Sequence, residues 1–89
     1  MTEKYIISNT VEHQIKVLQQ LEKLGYMWQS KKKPINLIPL EESKNEVIHL
    51  YEKYKTLTYS DLDYLYAAGR DKEEIKYEEL LLLGRKVIL

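Results

Sequence analysis

The chain predicts an α+β domain: a small mixed or antiparallel sheet of four to five strands, one main helix over about residues 10–24 packed on one face, and a short helix near 61–68. Three observations predict it. Apolar residues between Val11 and Leu24 recur at steps of three and four, the period of an α-helix. On either side of Lys53–Lys55, Val47, His49 and Tyr51 alternate with Ile48 and Leu50, and Thr56–Ser60 alternates strictly between polar and apolar, the period of a hairpin. Eighty-nine residues without cysteine suit a single domain, residues 1–89, held by packing alone.

Lys4–Ser8 is short and β-branched and reads as a first strand, with Tyr5 and Ile7 on one face and Ile6 on the other. The helix follows. Val11, Ile15, Leu18 and Leu21 form its stripe, and Val17 and Leu24 widen it. Asn9 is placed to cap it with Glu12 three residues on, a capping box; Thr10 is the alternative cap. Gly25 stands where a left-handed residue ends a helix, and Tyr26 supplies the apolar contact beyond it. Tyr26–Ser30 then reads as a strand with Tyr26 and Trp28 on one face. Residues 31–46 hold both prolines and form an irregular excursion, with a short edge strand at Ile35–Ile38.

Glu46–Glu52 and Thr56–Ser60 form the hairpin, the second strand turning Leu57 and Tyr59 inward. The period then changes. Ser60 is a ready N-cap with Asp63 three residues later, and Asp61 meets the helix dipole in the first turn. Leu62, Leu65 and Tyr66 share the inward face, and Gly69 ends the helix. The tail has two readings: Glu74–Glu78 alternates like a strand, while Tyr77–Gly84 suits a short helix, with a β-prone Lys86–Leu89 after it. Leu80–Leu83 cannot all face one core from one helical turn, so either the segment is buried on several sides or some of these leucines contact a partner or a second copy.

Composition removes several function classes. Fourteen basic residues balance fourteen acidic ones, which argues against bulk nucleic acid as the main partner. The balance is uneven along the chain: residues 1–33 carry six lysines against three glutamates. No apolar run approaches the roughly 20 residues of a membrane helix, and no signal-peptide pattern opens the chain. With no cysteine, a soluble cytoplasmic protein is expected.

Catalytic patterns are missing too. His13 and His49 have no second ligand at helical spacing, so no metal is expected. No serine lies in a GxSxG turn, and Gly25, Gly69 and Gly84 are isolated, so no phosphate loop forms. Asp61 and Asp63 would point apart on a helix and make a poor acid–base pair. The expectation is a non-enzymatic protein without cofactor. Eight tyrosines replace phenylalanine entirely. Tyr59 and Tyr66 fit inward positions, whereas Tyr64, with Asp61, Asp63 and the hairpin-tip Tyr54, suits a surface that contacts a protein partner. The alternative is a nucleic-acid or nucleotide site made of Trp28 with Lys31, Lys32 and Lys33. Against it, Trp28 is the chain's one tryptophan and suits the core, and the lysines suit a solvated loop.

The segments KYII (Lys4–Ile7), VLQQLEKLGYMWQS (Val17–Ser30), TLTYSDLDYL (Thr56–Leu65) and EIKYEEL (Glu74–Leu80) together resemble a group of small, mostly uncharacterised proteins from bacteriophages and mobile elements of Gram-positive bacteria. The chain departs from that group in residues 31–46 and after Leu80. The resemblance implies a setting and no active-site residues. In that setting the expected role is to bind and inhibit a host protein in the host cytoplasm, with an antiviral defence nuclease or its complex among the candidates, as anti-CRISPR proteins do. A self-assembling structural protein is the third class.

Overall fold

The structure is a computed structural model and describes residues 3–42, 44–68 and 72–87. Its elements run β1 (Lys4–Ile7), α1 (Val11–Lys23), β2 (Met27–Trp28), a 3-10 turn (Pro34–Asn36), α2 (Pro39–Glu42), β3 (Val47–Tyr51), β4 (Thr56–Ser60), α3 (Leu62–Ala68), β5 (Glu73–Glu74) and α4 (Tyr77–Val87). The expected fold class is present: an α+β domain with one main helix and a mixed five-stranded sheet of order β2-β4-β3-β1-β5. β3 pairs antiparallel with both β1 and β4, while β5 and β2 join the edges parallel to β1 and β4.

Strand register sorts the side chains. Ile6 stands opposite Ile48, Leu50 opposite Leu57, and Trp28 beside Leu57, so these residues share one face of the sheet. Val17, Leu18 and Leu21 of α1 and Leu80 of α4 complete the core against that face. Two buried glutamines of α1 fix what lies around it. Gln14 donates to the Asn45 carbonyl (3.0 Å) and accepts from the Leu40 amide (2.9 Å), tying down the excursion; Gln20 donates to the Leu80 carbonyl (3.2 Å) of α4.

The end of α1 is as its sequence requires. Gly25 takes φ 92°, the Tyr26 amide donates to the Leu21 carbonyl and the Gly25 amide to that of Glu22, the two bonds of a Schellman motif. Its start is the second of the two caps the sequence offers, one residue along. Thr10 is the cap, its hydroxyl accepting from the His13 amide at 3.1 Å, so the Asn9–Glu12 capping box is not made. α3 shifts in the same way. Ser60 is the last residue of β4, and the Asp61 carboxylate accepts from the Tyr64 amide at 2.8 Å as the cap.

Three further expectations are corrected. The edge strand at Ile35–Ile38 is a 3-10 turn at Pro34–Asn36, because Pro34 opens the turn and its carbonyl receives the Trp28 indole N–H at 3.1 Å. In the tail, the strand is only Glu73–Glu74, and α4 runs through Gly84 to Val87, so Lys86 and Val87 are helical. Tyr59 and Tyr66 are not core: they are 40% and 65% exposed. Leu65 takes the inward position on α3, and Tyr59 lies beyond the end of β2, its ring centre 5.6 Å from that of Trp28 with the two rings nearly perpendicular. The proposed helix end at Gly69 lies outside the described residues. Leu80 is buried, whereas Leu81, Leu82 and Leu83 are exposed.

Candidate functional site

The second face of the sheet carries the alternate residues of the same strands. His49 stands opposite Tyr5 on one side and Thr58 on the other, with Val47 opposite Ser60 and Tyr51 opposite Thr56. α3 lies over this face, the Tyr64 and His49 ring centres 6.2 Å apart and the rings nearly perpendicular. Between them opens a cleft of about 460 Å³ whose wall includes Tyr51, Tyr59, Tyr64, Thr58, Ser60 and Lys72.

His49 is 2% exposed and sits at the centre of a polar relay. The Lys72 ammonium, which can only donate, lies 3.1 Å from Nδ1. Nδ1 is therefore the acceptor and Nε2 carries the proton, donated to the Ser60 hydroxyl at 2.7 Å. The Ser60 hydroxyl in turn donates to the Asp61 carbonyl at 3.2 Å. Burial, then the Lys72 charge, push the imidazole pKa down to about 4, against a smaller upward pull from Glu3. His49 is thus neutral near pH 7. Ser60 is not activated by this arrangement, because the nitrogen facing it already bears the proton.

Lys72 reaches the cleft through the fold. Its neighbour Glu73 pairs with Lys4 in β5, and the Glu73 amide donates to the Glu3 carbonyl at 3.0 Å. This brings the Glu3 carboxylate to 3.4 Å from the ammonium, and the ammonium lies 5.5 Å from the centre of the Tyr51 ring. Among the described residues no buried side-chain nitrogen or oxygen lacks a hydrogen-bond partner.

The residues expected to contact a partner are split by the structure. Asp61, Asp63 and Tyr64 are all exposed at the β4–α3 junction, Tyr64 by 56%. Asp61 spends its carboxylate on the helix cap, and Tyr64 has a neighbour inside the fold in His49, which sequence reasoning did not give it. Tyr54 does not belong to this patch. It is 70% exposed in the turn before β4, and the five residues of β4 separate it from Asp61 by roughly 17 Å. For the alternative site, Lys31, Lys32 and Lys33 are exposed, but Trp28 is 3% exposed and belongs to the core, so it presents no ring on which a base could stack.

Sequence reasoning passed over Lys72, Thr58 and Ser60 as parts of a site. The two hydroxyls were legible in principle, since hairpin alternation puts them on the His49 face. Lys72 carried no such signal, because only the parallel pairing of β5 with β1 delivers it. No protein-family model, curated protein or solved structure matches the chain, and its site is read from its own geometry.

Proposed function

We propose that the chain is a non-enzymatic protein that binds a host protein and blocks it by occlusion, with the β4–α3 junction as its contact surface. The observation that carries this reading is the pair of exposed tyrosines there: Tyr59 and Tyr64, 40% and 56% exposed, line one open cleft. Tyrosine offers large contact area at small entropic cost and is enriched among residues that dominate binding energy. Exposed Asp61 and Asp63 give the patch a negative rim, which favours a basic partner surface and speeds the encounter with it. The cleft volume is in the range that accepts a partner side chain.

The resemblance to phage and mobile-element proteins supports a target in host antiviral defence, a defence nuclease or its complex, whose nucleic-acid groove supplies such a basic surface. The site of action is then the bacterial cytoplasm. Co-expression with the defence systems of the natural host, scored by phage survival, tests this. Protection by the parent chain and its loss in Tyr64→Ala at equal protein level is the expected result. No protection against any of those systems overturns it.

A further inference from the structure

We propose that the outer edge of the sheet, around β2, is a separate binding site for single-stranded nucleic acid. Two adjacent residues of β2 bring its parts together. The Met27 amide donates to the Lys55 carbonyl and the Trp28 amide to the Lys32 carbonyl, both at 3.0 Å. The hairpin tip and the Lys31–Lys33 loop therefore flank the same short strand. Lys31, Lys32, Lys33, Lys53 and Lys55 are all exposed there, and among the described residues none of them forms an ion pair. Glu52, next to the tip, is engaged by Lys4 at 2.8 Å.

A chain of zero net charge thus presents one strongly basic edge, and charge acts locally because solvent screens it within about 8–10 Å. The edge is also held in place. The Lys31 amide donates to the Trp28 carbonyl (2.7 Å), the Asn36 amide to that of Lys33 (3.0 Å), and the Trp28 indole to that of Pro34 (3.1 Å). Trp28 is the anchor of the loop and not a stacking platform. Lys31 and Lys55 both have positive φ, 72° and 53°, where glycine or asparagine is the easier choice. Lysine stands at both turns despite that.

Tyr54, 70% exposed between Lys53 and Lys55, supplies the ring that stacks on an unpaired base. A single ring at a tip suits a splayed strand rather than the stacked interior of a duplex, which selects a single strand over a double one.

The test is fluorescence anisotropy with an oligothymidylate of about 15 nucleotides, at salt concentrations from about 50 to 200 mM. With up to five phosphate contacts, affinity is expected to fall by up to about 100-fold across that range. Lys31→Asn/Lys32→Gln/Lys33→Gln and Lys53→Gln/Lys55→Asn should each weaken binding and flatten the salt dependence, the asparagines keeping the positive φ. Tyr54→Ala should weaken it about five-fold or more. Lys76→Gln, exposed elsewhere, should bind as the parent does. Melting curves identify any variant that fails to fold, and the Tyr54→Ala result then stands alone. Several outcomes overturn the proposal: no binding at the lowest salt, equal loss in Lys76→Gln, duplex bound as tightly as single strand, or polyglutamate bound as tightly as the oligonucleotide, which makes an acidic protein the partner.

Discussion

On one face of the sheet Ile6, Ile48, Leu50 and Leu57 are buried against Val17, Leu18 and Leu21 of α1. One residue along the same strands, on the other face, His49, Thr58 and Ser60 line an open cleft with Tyr64 of α3. The two-residue period of a strand lets one hairpin serve both. The first face removes apolar area from water, at about 25 cal/mol per Å², and holds the fold. The second satisfies its polar groups through the Lys72–His49–Ser60 relay and leaves tyrosines in solvent. A polar relay of this kind adds little net stability but is costly to break, because an unpaired buried group loses its hydration.

The largest test of this contrast is on the helical face. Leu18→Ala should cost roughly 2–5 kcal/mol in chemical denaturation, through lost burial and the cavity left under α1. A melting curve within error of the parent places the stability elsewhere.

On the other face the corresponding test is pH. The unfolded chain protonates His49 near pH 6.5, while the folded chain resists until about pH 4. Stability is therefore complete above about pH 6.5 and falls as pH drops through that window, by about 3 kcal/mol at most. His49→Gln should flatten the slope between pH 6.5 and 4. Histidine titration by NMR reads the same group directly, and Lys72→Met should raise its midpoint, since the ammonium is one of the causes holding it down.

Smaller effects are expected at the junction. Asp61→Ala removes the α3 cap and should cost about 1 kcal/mol, with Asp61→Asn recovering most of it. Tyr64→Ala loses only an exposed ring edge against His49 and should cost less than about 1 kcal/mol, while weakening partner binding by much more. If Tyr64→Ala unfolds the domain, the tyrosine is part of the fold and the contrast between the faces fails there.

How much of this was legible in the sequence follows from how local each feature is. The α1 stripe, its Schellman end at Gly25 and the β3–β4 hairpin each depend on residues close in the chain, and all are found. The α1 cap is the second of the two readings, Thr10 rather than Asn9, and the α3 cap falls one residue later than expected, Asp61 for Ser60, because neighbouring polar residues are equally able to cap and strand length decides between them. β5 was the hardest to read. Glu73 and Glu74 have no strand preference, and only their pairing with Lys4 and Tyr5 makes them a strand. Lys72, and hence the relay, follows from that pairing. Exposure of Tyr59 and Tyr66 depends on where β2 stops and how α3 is rotated, neither of which periodicity sets. Tyr54 was grouped with the wrong patch because proximity in sequence ignores the length of β4.

Site-specific photocrosslinking tests the central claim most directly. A photoreactive phenylalanine analogue is placed at Tyr64 on the cleft face, or at Lys16, exposed on α1, and the chain is expressed in the bacterial host that the proposed function implies, during phage infection. The account predicts one discrete adduct with a host protein from position 64 and none from position 16, with both variants melting as the parent does. An adduct from position 16 alone, or from neither position, contradicts it.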